Sequence, residues 1–70
     1  MGTNASVSAE ARAALARAQM TQTDLAEATG RSRPYWQKRL AGAVSMTVDD
    51  LEAVAAATGT PLASLLPRSS

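Results

Sequence analysis

Apolar residues recur along this chain at three- and four-residue steps, and glycines at positions 30, 42 and 59 punctuate them. That rhythm is helical. From about Ser8 to Gln19, Ala11, Ala14, Leu15 and Ala18 fall on one face while Glu10, Arg12 and Arg17 point mostly outward, which predicts a first amphipathic helix. A second begins after Thr21, whose hydroxyl can cap free backbone N–H groups. Asp24 stands three residues on as its capping-box partner, and Met20 and Leu25 form a hydrophobic staple across the cap. Gly30 then supplies a turn. The third helix, about 32 to 41, places Trp36 and Leu40 one turn apart on a shared face. Either Ser32 or Arg33 caps it, because Pro34 suits a first turn but discourages helical geometry in the residue before it. In the fourth, Thr47 caps, Asp50 takes the third helical position and Met46 staples to Leu51. That helix continues through Val54 and Ala55 to Thr58, with Gly59 as its stop. Thr60 followed by Pro61 restarts the chain as a short fifth helix, Leu62 to Leu66. The predicted fold is all-α, a compact bundle of about five short helices over residues 8 to 66, with flexible tails at 1–7 and 67–70.

Composition narrows this picture. Seventy residues make one domain, near the lower size at which a single core holds without staples, with no room for a separate ligand or dimerisation domain. Neither cysteine nor histidine occurs, so disulfides, thiol chemistry and zinc lack their usual ligands. The 46% hydrophobic content includes 16 alanines but no phenylalanine or isoleucine. The core is therefore thin, and Trp36 and the leucines should contribute most of a modest stability.

Net charge is only +1, yet four of the seven cations lie between Arg31 and Arg39 while Asp49, Asp50 and Glu52 open a later helix. One basic patch on a near-neutral body is expected. A charge run is ordinarily a solvated helix face, but this one falls on the second member of a helix-turn-helix pair. Opposite the Trp36–Leu40 face, with Arg31 and Ser32 leading in, that helix is expected to offer Arg33, Tyr35, Gln37, Lys38 and Arg39 and no acid. The layout is that of a DNA reader.

The spacing Gln22, Leu25, Ala26, Gly30, followed by Ser32, an apolar Trp36 and a closing Gly42, resembles the lambda-repressor/Cro-type (XRE) DNA-binding domains. VDDLEAVAAATG and TPLASLL look like that family's last two helices, so the resemblance covers roughly residues 9 to 66. Arg31 and Arg39 depart from the pattern, since both stand where the family commonly has apolar residues. The resemblance implies that the third helix enters the major groove of an operator, with Arg33, Pro34, Tyr35 and Lys38 nearest the bases. Gln22 would bond a phosphate, with Thr21, Thr23, Arg31, Ser32, Gln37 and Arg39 as further backbone candidates, and Tyr35 could serve either role. Trp36 is expected to anchor this helix to the body rather than to stack on a base. The function implied is a sequence-specific regulator of transcription that binds double-stranded DNA, Cro- or repressor-like, needing no cofactor and no small-molecule ligand. Six arginines to one lysine, with no isoleucine, look like GC-rich coding in a bacterium or its phage.

The remaining features are bland. Asp49 and Asp50 sit in a first helical turn, where the helix dipole favours negative charge, and this accounts for them better than metal or acid–base chemistry. No nucleophile–base pair or phosphate loop can be assembled, so an enzyme is not expected. MGTNAS fits a myristoylation signal and Asn4-Ala5-Ser6 a glycosylation acceptor, both read as chance. No membrane span or signal peptide is visible, and a cytoplasmic bacterial location is expected. The competing class is a small helical protein-interaction module, an antitoxin or anti-regulator, with no DNA role. Because one such reader touches little DNA, a homodimer is expected, at least on DNA. Leu62, Leu65 and Leu66 are the candidate interface, two of them closing the core and Leu65 or Leu66 meeting the mate.

Overall fold

The computed structural model describes residues 3–66, and the expected tail at 67–70 lies outside them. Four α-helices follow one another, α1 (Thr3–Arg17), α2 (Gln22–Thr29), α3 (Arg33–Leu40) and α4 (Val48–Thr58), before a 3-10 turn at Leu62–Leu65. There is no strand among the described residues. The all-α reading holds, with two changes at its ends.

Helix α1 starts five residues before the expected Ser8, inside the stretch read as a tail. Val7 explains why. It extends the Ala11, Ala14, Leu15 face by one turn, and all four are buried. The same helix stops at Arg17, two residues early, because Gln19 turns to φ 57° and Met20 N–H reaches back to the Leu15 carbonyl at 2.9 Å. The fifth helix is not α. Pro61 starts the segment without a side-chain cap, Ser64 N–H bonds the Pro61 carbonyl at 3.0 Å, and Leu66 is extended at ψ 150°. A residue before proline avoids helical geometry, and Pro67 follows directly, so only one tight turn fits.

Both expected capping boxes are present. Thr21 and Asp24 exchange hydrogen bonds at 2.9 and 3.0 Å, and Thr47 and Asp50 at 3.0 and 3.1 Å. Helices α2 and α4 end on Gly30 and Gly59, at φ 72° and 69°. A Cβ at either glycine would meet nothing within 4 Å, so the backbone angle alone calls for glycine.

Trp36 is wholly buried among Leu25, Leu40, Val54, Leu65 and the alanines Ala11 and Ala14. Its indole N–H donates to Thr29 Oγ1 at 2.9 Å, and that hydroxyl donates to the Leu25 carbonyl at 2.8 Å. One side chain thus links α3 to α2. Helix α1 backs the pair, packing on α3 and α4, while the closing turn packs on α1 and α4 alone. Ser8 Oγ donates to the Arg39 carbonyl at 2.9 Å and Arg12 donates to the Leu40 carbonyl, so α1 satisfies carbonyls at the end of α3 that have no partner within the helix.

Candidate nucleic-acid interface

Helix α3 begins at Ser32, whose Oγ accepts from Tyr35 N–H at 3.2 Å, and Pro34 occupies the first turn, where a missing N–H costs nothing. The choice between Ser32 and Arg33 as cap is thereby decided. Three stripes run along the helix. Trp36 and Leu40 enter the core. Arg33 and Gln37, with Pro34 and Lys38 beside them, are exposed, each pair one turn apart. Tyr35 and Arg39, also four apart, turn toward the N-terminus of α4, and there they and Arg31, from the turn before α3, meet Asp50.

Asp50 is the hub of this third stripe. Its side chain is fully buried, yet four donors fill its two oxygens. Oδ1 accepts from Arg31 at 3.0 Å and from the Tyr35 hydroxyl, while Oδ2 accepts from Arg39 Nε at 2.9 Å and Thr47 N–H at 3.0 Å. The Arg39 guanidinium lies 3.7 Å from the Tyr35 ring centroid and the Arg31 guanidinium 5.1 Å, so both cations also face the ring. Arg39 NH1 closes the cluster on the Tyr35 carbonyl at 3.3 Å. Burial pushes the Asp50 carboxyl up, but the hydrogen bonds from Tyr35, Thr47 and Arg39 outweigh it and hold the group below its ordinary value of 3.8. The Tyr35 hydroxyl moves the opposite way. Its hydrogen bond to Asp50, then burial and the nearby negative charge, raise it against the pull of Arg31 and Arg39.

The acid-free face foreseen from the sequence is therefore divided. Arg33, Pro34, Gln37 and Lys38 share the exposed side of α3 with Ser32, and neither Arg33 nor Lys38 has an ion-pair partner among the described residues. Thr21 and Thr23 are exposed and Gln22 half-buried at the start of α2, which packs directly on α3. Arg31, Tyr35 and Arg39 do not join this surface, because a buried carboxylate must be neutralised and they are what neutralises it. Asp50 has its foreseen place in a capping box, but its role as hub was missed. The available signal was the pair of cations at positions 31 and 39, where the resemblance expects apolar residues.

The leucines of the closing turn also separate. Leu65 is wholly buried, which removes it from the expected interface; Leu62 is half-buried, and Leu66 is 41% exposed. Leu66 edges a shallow hollow with Glu10, Arg17, Ala63 and Ser64. No group of three acidic, histidine or cysteine side chains that could hold a metal ion occurs among the described residues. No helix among them is long and apolar enough to cross a membrane.

A family model for the helix-turn-helix domain matches residues 6–66. The match spans all the elements on which the lambda-repressor/Cro-type resemblance rests. Comparison with curated proteins and with solved structures finds no match.

Proposed function

Because the chain belongs to the helix-turn-helix domain family, we propose that it is a sequence-specific regulator of transcription that reads double-stranded DNA, a small Cro- or repressor-like protein of a bacterium or its phage, acting in the cytoplasm. The observation that carries this reading is the exposed stripe of α3. Arg33 and Lys38 stand there without an ion-pair partner among the described residues, beside Ser32, Pro34 and Gln37, on a helix whose other faces are committed to the core and to Asp50. Set in the major groove, Arg33 and Lys38 donate to guanine O6 and N7, and Pro34 packs on a thymine methyl. Thr21, Gln22, Thr23, Ser32 and Gln37 bond phosphate oxygens and fix the register. Two copies pair on half-sites about one helical turn apart, roughly 34–36 Å. Leu66, with Leu62 beside it, is what remains of the expected leucine surface for that pairing.

Titration of a duplex selected by the protein from a random pool, at several salt concentrations, tests the reading. Arg33 and Lys38 displace counterions as they enter the phosphate-lined groove, at up to about 0.9 each in the slope of log K against log salt, so a slope of up to about −2 per subunit is expected. A flat salt response would mean that the cations are only solvated, as in a protein-interaction module.

A further inference from the structure

We propose that Asp50 is the positioning residue of the DNA reader: it fixes the rotation of α3 about its axis and withholds Arg31, Tyr35 and Arg39 from the nucleic acid. The proposal rests on the DNA-reading function and adds to it a division of labour among the four cations of residues 31–39. Two donors on the carboxylate, Tyr35 and Arg39, come from one stripe of α3, a third, Arg31, from the turn before it and the fourth from the Thr47 backbone, so the carboxylate ties both that stripe and the turn to the N-terminus of α4. A helix held at two positions one turn apart, and at the turn that leads into it, by one fully buried group cannot roll without breaking several bonds to that group. The roll angle decides which side chains enter a groove. With the third stripe turned inward, Arg33, Pro34, Gln37 and Lys38 are presented together.

The charges follow the same logic. Arg31 and Arg39 are each ion-paired to Asp50, and their side chains keep only 33% and 19% of their exposure. Moving either one to a phosphate would strip a buried carboxylate of a partner, a costly exchange for one solvent-exposed contact. Both cations therefore support the reading surface from behind, and sequence-independent attraction to any duplex is kept low.

The test compares a selected duplex with a random-sequence duplex of equal length across a salt series, for wild type, Asp50→Asn, Arg31→Gln, Arg39→Gln and Lys38→Gln. Asp50→Asn keeps the shape of the side chain but frees two cations. Its salt slope should steepen by up to about 1.8 per subunit, at about 0.9 for each added phosphate. Random-duplex affinity should rise, and discrimination for the selected duplex should fall at least about tenfold. A merely structural role would weaken both duplexes together. Arg31→Gln and Arg39→Gln should leave the wild-type slope unchanged, whereas Lys38→Gln, which removes a base contact, should lower affinity for the selected duplex about tenfold and discrimination with it. A folded Asp50→Asn protein with wild-type slope and discrimination overturns the proposal. So does a loss of about 0.9 in slope for Arg31→Gln or Arg39→Gln, and these two variants decide the matter if circular dichroism shows Asp50→Asn unfolded. A wild type that binds neither duplex overturns the DNA-reading function and this proposal together.

Discussion

Replacing Thr29 by valine tests how α3 is anchored, because it removes a single oxygen from the core. The Trp36 indole is wholly buried and its N–H donates to Thr29 Oγ1 at 2.9 Å. Valine keeps the shape and has nearly the same helix propensity, so intrinsic helicity does not change the balance. What remains is a buried donor without an acceptor, which costs about 1–3 kcal/mol. Small domains carry about 0.05–0.15 kcal/mol per residue, or roughly 3.5–10 kcal/mol for a chain of this length. A loss of about 2 kcal/mol is thus a large share, and at about 4–8 °C per kcal/mol it lowers Tm by about 8–16 °C. Trp36 is the only tryptophan, so its emission reports the transition directly. A double-mutant cycle isolates the pair: in a Trp36→Phe background, which has no donor, Thr29→Val should cost no more than a few tenths of a kcal/mol. If Thr29→Val alone melts within about 2 °C of wild type, the indole N–H is satisfied elsewhere and the proposed link between α2 and α3 is wrong.

Arg33→Ala and Lys38→Ala should each weaken binding to the selected duplex by about 1–3 kcal/mol with helix content unchanged, and wild-type affinity in both would remove them from the bases. Gln19, an exposed residue at φ 57°, carries a left-handed strain of about 1–2 kcal/mol against a glycine entropy cost of about 0.5–1. Gln19→Gly should therefore raise the melting temperature by a few degrees, which calorimetry will read. The lowered Asp50 carboxyl contributes stability that is complete above its ordinary 3.8 and is lost as pH falls through the lower folded value. Acid unfolding should steepen only below about pH 4 and flatten in Asp50→Asn, while the raised Tyr35 hydroxyl places a matching loss above pH 10. Sedimentation of wild type and Leu66→Asp on a two-half-site duplex tests pairing, and equal cooperativity in both would place the interface elsewhere.

Local grammar made most of the fold legible. Thr21–Asp24 and Thr47–Asp50 are capping boxes because the partners lie three residues apart, and Gly30 and Gly59 stop helices through their own backbone angles. Trp36 was readable as core because Leu40 lies one turn away on the same face. The closing segment was misread because a proline after it matters as much as the one that opens it. The second role of Asp50, beyond its capping box, was missed for a different reason. Its capping bond is local, but its bonds to Arg39, Tyr35 and Arg31 span 11, 15 and 19 residues, and periodicity within one helix says nothing about partners on another. The early start of α1 was legible but overlooked, since Val7 lies four residues before Ala11 on the same face.

The short span of α3 bears on portability. Eight residues fall below the roughly 12–15 at which a helix begins to hold by itself in water. Ser8 and Arg12 support its last carbonyls and Asp50 grips it from the side. Residues 33 to 40 grafted onto another scaffold would carry the reading chemistry without the geometry that aims it. The transplantable reader is therefore the bundle from α1 through the closing turn that supplies Leu51, Val54 and Leu65 to the core around Trp36, and recoding its preference is a matter of exchanging exposed side chains within that frame rather than moving the helix out of it.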